Sequence, residues 1–101
     1  MQNFEIIARA VIVRDNKILL CKRVDRDYYF LPGGHVEFGE QAEIALMREI
    51  QEELGVDSND INFIGALENI FRQDTKLRHE LNIVFLAQAD IKNTESVESH
   101  L

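Results

Sequence analysis

The sequence predicts an α/β fold: a mixed sheet with one helix packed on it. Three observations lead there. Two apolar, β-branched stretches near the N-terminus are joined by a turn signal, a 15-residue segment changes to helical periodicity, and two more apolar stretches follow it. The 101 residues suffice for one small domain spanning 1–101, and a 46% hydrophobic content supports a packed core rather than disorder.

Each element has its own signal. Phe4 to Val13 is rich in Ile, Val and Ala and reads as a strand. Asp15-Asn16-Lys17 is a turn, after which Ile18 to Val24 reads as the second arm of a hairpin. Asp25-Arg26-Asp27 is polar and turn-like, and Tyr28-Tyr29-Phe30-Leu31 is a short aromatic strand ending at Pro32-Gly33-Gly34. That cluster holds the chain's only proline and reads as a tight loop. From Glu40 to Leu54, Leu46, Ile50 and Leu54 recur every fourth residue with Met47 beside them, and Gly55 is a natural helix stop. Ile61 to Phe71 and Leu81 to Ala89 read as strands separated by the polar run Arg72 to Lys76. Beyond Asp90 the composition turns polar and reads as a loop. One helix covers one face of such a sheet and leaves the other in need of a partner.

Charge and cysteine content narrow the function classes. Eighteen acidic against eleven basic residues give a net charge of −7, which disfavours a nucleic acid polymer as partner. It is compatible with a phosphorylated small molecule if divalent cations stand between carboxylates and phosphate. Cys21, the single cysteine, lies in the apolar stretch Ile18 to Cys21 and reads as a small buried hydrophobe. No apolar run has bilayer-spanning length and the N-terminus lacks a basic start, so the expected address is cytoplasmic, with no membrane partner.

The helix carries the chemistry. Glu49, Glu52 and Glu53 stand at i, i+3 and i+4 and project from one side, in an arc of roughly 100° beside the apolar stripe. Ala42 and Ala45 fall in the same arc, where small side chains leave room for a ligand. Crowded carboxylates repel, and Arg48 alone cannot neutralise them. A hard divalent cation held by oxygen ligands can, and Mg²⁺ suits carboxylates combined with substrate phosphate. A Glu-rich helix alone is also what a solvated face looks like, so the spacing to the glycine loop decides.

That spacing is Gly34, five residues, Glu40, seven residues, then Arg48-Glu49-Ile50-Gln51-Glu52-Glu53-Leu54-Gly55-Val56. It resembles the signature of the Nudix hydrolase (MutT-like) family, with every glycine, glutamate, arginine and aliphatic position filled. The resemblance implies an α/β/α sandwich around a mixed sheet. It also implies hydrolysis of a diphosphate linkage in a nucleoside diphosphate joined to another group, by water attack at phosphorus with Mg²⁺ or Mn²⁺. Carried over by position, Glu52 and Glu53 are metal ligands, and the backbone carbonyl of Gly33 is a further one. Glu49 binds metal or deprotonates water, Arg48 holds the carboxylates in place, and Glu40 acts from behind them. The catalytic set is then Glu49, Arg48 and Glu52.

The family pattern continues through a further strand and a C-terminal helix on the sheet's open face. The chain is therefore expected to be truncated at its C-terminus or completed by a partner, and a homodimer is compatible with this. Outside the signature, Arg78-His79-Glu80 precedes a strand and places His79 or Glu80 near the site or at a surface strand end. Tyr28, Tyr29 and Phe71 are candidates to stack on a base, or else core and rim residues. The alternative to a hydrolase is a catalytically silent module of the same fold that binds a nucleotide.

Overall fold

A computed structural model describes residues 3–91. Seven strands and one helix follow in the order β1 (Phe4–Arg14), β2 (Lys17–Ile18), β3 (Cys21–Lys22), β4 (Tyr29–Phe30), β5 (Gly33–His35), α1 (Ala42–Leu54), β6 (Ser58–Gln73) and β7 (Lys76–Ala89). The main sheet runs β2-β1-β7-β6, with β5 also on β1, and β3 pairs with β4 as a separate ribbon. β1 and β7 are parallel and every other pair is antiparallel, so the sheet is mixed as expected. The tail beyond Asp90, read as a loop from its composition, lies outside the described residues from position 92 on.

β1 lies inside the sheet, paired along one edge with β7 and along the other with β5 and β2. Ala8, Ala10 and Ile12 meet Leu46 and Ile50 of α1 together with Phe85 and Ala87 of β7. Ile7, on the opposite face, is also buried. Alanines on the helix side let α1 lie close to the sheet, and Ala45 closes that contact with no exposed surface. Ala45 therefore belongs to the core, and Ala42 packs against it; neither opens space for a ligand. A side chain as short as alanine leaves room only if nothing packs on it, and here the sheet does.

Local chemistry sets the turns and caps. Asp15 and Asn16 both adopt positive φ (54° and 61°), the conformation a two-residue hairpin between β1 and β2 requires. The helix starts after Gln41, whose carbonyl accepts from the Ala45 N–H at 2.9 Å. It stops at Gly55 (φ 72°), whose N–H returns to the Gln51 carbonyl at 3.0 Å.

Three sequence expectations change. The segment read as one strand from Ile18 to Val24 is two short pieces with different partners, because the chain leaves β1 after Leu19 to form the β3–β4 ribbon. Pro32-Gly33-Gly34 is not a loop: Gly33 and Gly34 lie in β5, antiparallel to β1. Gly33 takes φ 141°, and a Cβ there would penetrate the Ala8 carbonyl oxygen, so glycine serves close backbone pairing. Finally, the run Arg72 to Lys76 is mostly strand, because the β6–β7 hairpin turns tightly at Asp74 and Thr75. Arg78, His79 and Glu80 accordingly lie within β7 rather than before it.

Cys21 is fully buried as expected, and that burial pushes its thiol up to about 12. Among the described residues no helix is long and apolar enough to cross a membrane.

Candidate functional site

The three glutamates of α1 share one side of the helix but have three different environments. Glu53 turns inward, and its Oε1 accepts from the Gly33 N–H at 3.2 Å. Burial pushes its carboxyl up to about 7; the neighbouring Glu49 adds to this, while the Gly33 hydrogen bond and the Arg9 charge oppose it. Glu49 lies beneath Gly34, and a Cβ on residue 34 would collide with its carboxylate. Glu52 points toward solvent, its side chain 57% exposed.

Arg48 ties this set to the chain before the helix. Its Nε and Nη2 grip both Glu40 oxygens at 2.9 and 3.0 Å, and Nη1 donates to Glu49 and Glu52 at 2.9 Å each. Nη2 also donates to the His35 carbonyl at 3.1 Å, which fixes α1 against the end of β5. Glu40 is held below the usual carboxylate range, first by Arg48 and then by the Glu37 N–H. The planar fork of arginine makes such simultaneous contacts available, and a lysine has no equivalent.

The Gly33 carbonyl is placed by the ladder. Ala10 N–H donates to Pro32 and Val36 N–H to Ile6, which makes Gly33 and Arg9 a pair without mutual hydrogen bonds. The N–H and C=O of Gly33 thus both point away from β1, and the N–H is the one that reaches Glu53. Gly33 C=O therefore faces the side where Glu53 sits.

Among the described residues no group of three His, Cys, Asp or Glu side chains is arranged as a ready metal cage. Glu52 is exposed, and its Oε1 accepts from Arg48 Nη1 at 2.9 Å. The fit of a cation rests instead on Glu49 and Glu53. Two carboxylates in a partly desolvated site, with the Gly33 carbonyl facing the side where Glu53 sits, form an oxygen donor set. The missing side chain at Gly34 keeps the space above Glu49 free. These donors suit a hard divalent ion.

An open cleft of about 1180 Å³ adjoins the glutamates. Its floor is the sheet face opposite the core, reached by odd-numbered residues of β1 and even-numbered residues of β7. On that floor Arg9 donates to the Leu31 carbonyl at 3.0 Å and more weakly to Asn82 at 3.4 Å, with its guanidinium 5.8 Å from the Phe30 ring centre. Arg78 holds Glu5 through two hydrogen bonds of 2.6 and 2.7 Å, and His35 adds a third at 2.6 Å. These partners, Arg78 foremost, hold the Glu5 carboxyl down at about 2. Arg26 also lines the cleft, and its Nε is enclosed without a hydrogen-bond partner among the described residues.

Of the residues singled out from sequence, Tyr28 and Phe71 line the cleft and Tyr29 does not; Tyr29 lies exposed beside Lys22. Glu80 lines the cleft, whereas His79 faces the other side, against Phe4 and Glu68. Arg9, Arg26, Asn69 and Asn82 were missed. A lone arginine in the apolar run Ile6 to Val13 was the available signal for Arg9. Asn69 and Asn82 required the strand register, and Arg26, between β3 and β4, required the packing of that ribbon beside the sheet.

Comparison with known proteins gives a consistent picture. A family model described as a NUDIX domain matches residues 5–100. An ADP-ribose pyrophosphatase from Methanocaldococcus jannaschii is 39% identical over 79 residues, 75% of this chain and 46% of that protein. An RNA pyrophosphohydrolase from Ruthia magnifica is 32% identical over 85 residues, 80% of this chain and 48% of its own. A crystal structure of a MutT NUDIX hydrolase from Burkholderia pseudomallei superimposes with a TM-score of 0.76 at 34% identity, over 87% of this chain and 69% of that one. The chain spans about half the length of the curated relatives it matches.

Proposed function

The chain belongs to the Nudix family, and from that footing we propose that it hydrolyses a diphosphate linkage in a nucleoside diphosphate joined to another group, with Mg²⁺ or Mn²⁺ as cofactor. The observation that carries this reading is the pairing of Glu49 and Glu53 beside Gly33 and Gly34 at the head of an open cleft. Relatives named for pyrophosphatase and pyrophosphohydrolase activity support the reaction class. They differ in the substrate they are named for, so the class is the level at which they inform this chain.

In this reading Glu53, Glu49 and the Gly33 carbonyl would hold the cation, with Glu52 completing the set. The bound ion supplies charge neutralisation on the diphosphate and a lower pKa for water. Arg48 orients Glu49 and Glu52 and takes up part of their mutual repulsion, and Glu40 anchors Arg48 from behind. Water attacks phosphorus, the bridging P–O bond breaks, and Glu49 accepts the proton. Arg26 lines the same cleft and supplies a positive charge for a phosphate group of the substrate. The partner is thus a small phosphorylated molecule in a cleft with both acidic and basic walls.

The test is product release from a panel of nucleoside diphosphate compounds with Mg²⁺ or with EDTA, comparing the chain with Glu53→Gln. Metal-dependent turnover lowered by at least roughly a hundredfold in the variant is expected. Turnover that survives both EDTA and the substitution refutes the proposal.

A further inference from the structure

β6 closes one side of the sheet and pairs only with β7, so its second edge is free among the described residues. Such an edge presents unpaired N–H and C=O groups that another strand can complete. Two register shifts, between Asn59 and Asn62 and between Phe63 and Gly65, interrupt its first half. From Gly65 to Gln73 the ladder with β7 is unbroken. This stretch contains no proline and no lysine, the usual guards of an open edge, and its Leu67 and Ile70 are 67% and 58% exposed.

The ladder fixes which backbone groups face outward. Ala10 N–H donates to Pro32 and Ile6 C=O accepts from Val36, so even-numbered residues of β1 point to β5 and odd-numbered ones to β7. In the parallel register, odd-numbered residues of β7 answer them, and the even-numbered Arg78, Glu80 and Asn82 point to β6. Their partners Phe71, Asn69 and Leu67 are therefore satisfied by β7. Ala66, Glu68, Ile70 and Arg72 turn their N–H and C=O groups to the open side.

Charge on this edge is self-complementary. Glu68 meets His79 through Oε2 at 2.7 Å and keeps a side chain 60% exposed. Arg72 is exposed and has no ion-pair partner among the described residues. The two carry opposite signs and stand symmetrically about Ile70.

We propose that the β6 edge docks a second copy of this chain, the two β6 strands pairing antiparallel about a two-fold axis at Ile70. That register sets Ile70 on its own counterpart and Glu68 opposite Arg72 of the partner subunit, twice over by symmetry. It joins outward-facing groups alone: these residue pairs exchange about six backbone hydrogen bonds. An axis at Glu68 or at Arg72 sets like charges together, and one at Asn69 or Phe71 leaves Glu68 opposite Ile70 or Asp74. The pairing merges two sheets into one and leaves both clefts on the same face. An edge contact of this size is smaller than a standard interface, which puts the association in roughly the micromolar range.

The experiment is sedimentation equilibrium of the full chain from about 1 to 200 μM, with amide exchange read by NMR at both ends of that range. The expected result is a concentration-dependent dimer in which the amides of Glu68, Ile70 and Arg72 gain protection only when it forms. Arg72→Glu puts like charges opposite each other at two places and is expected to raise the dissociation constant at least roughly tenfold. The exchanged pair, Glu68→Arg with Arg72→Glu, is expected to bring the constant back to within roughly threefold of the parent's, a rescue that simple damage to the fold does not produce. A single-chain mass at every concentration overturns the proposal. A dimer indifferent to Arg72→Glu, or formed without protection of those three amides, overturns it by placing the interface elsewhere. Protection of the same amides in a monomer overturns it in favour of an occupant from within the chain.

Discussion

Glu53 sits at odds with the fold that holds it. Its carboxyl is raised from 4.5 to about 7, first by burial and then by Glu49. The protonated form is thus the one the folded, metal-free protein prefers. The stability associated with that preference is fully present below pH 4.5 and is lost as pH rises through about 7. At about 1.4 kcal/mol for each tenfold change in proton affinity, the loss is about 3 kcal/mol, and partial solvent access lowers it to about 2 kcal/mol. Glu53→Gln keeps an acceptor for the Gly33 N–H and removes the charge. In EDTA at pH 8 the variant is therefore expected to be more stable than the parent by about 2 kcal/mol, a rise in midpoint of roughly 10 °C for a chain of this size. At pH 4 the two are expected to be equal. Urea titrations at both pH values, with EDTA throughout, read this directly. With Mg²⁺ the order is expected to narrow or reverse, since binding to the folded state alone stabilises the parent. Equal stability of the two proteins at pH 8 in EDTA would refute the claim that the site stores unfavourable charge.

Other substitutions test the surroundings of that carboxylate. Gly34→Ala places a methyl group in the Glu49 carboxylate and is expected to lower turnover by at least about a hundredfold, measured as kcat at saturating metal. Arg48→Lys loses the two-pronged hold on Glu40 and the bridge between Glu49 and Glu52. It is expected to lower the urea midpoint slightly and to weaken Mg²⁺ binding measured by calorimetry. Glu5, held at about 2 by Arg78 and His35, contributes stability that is present above pH 4.5 and lost as pH falls toward 2. Glu5→Gln is expected to flatten that part of the acid unfolding curve, and a curve superimposable on the parent's would refute the pairing.

Much of the frame was legible because it depends on local periodicity. The helix ends at Leu54 followed by Gly55, and its apolar residues Leu46 and Ile50 enter the core as their fourfold spacing requires. The order of strands around it follows the apolar stretches and the turn at Asp15-Asn16. Arg48 and Glu52, four residues apart, do form an ion pair. Spacing alone also put Glu49, Glu52 and Glu53 on one side of the helix and one signature ahead of it, and so carried the family resemblance.

Tertiary contact decided the rest. Helix geometry assigns a side chain to an arc of roughly 100°, which cannot distinguish Glu53, enclosed against β5, from Glu52 in solvent. That distinction exists only once β5 lies beside α1. Gly33 and Gly34 carry the same turn signal wherever they occur, and only the approach of Ala8 and Glu49 gives each glycine its particular work. Ala45 looked like space and is core, since a methyl group's surroundings are set by what packs on it. Glu80 and His79 differ by one residue and face opposite sides of the sheet, so the parity of β7 against α1 settles which one reaches the cleft. Periodicity along the chain determines elements and candidate chemistry; which of those groups lose water and meet one another is a property of the packed sheet.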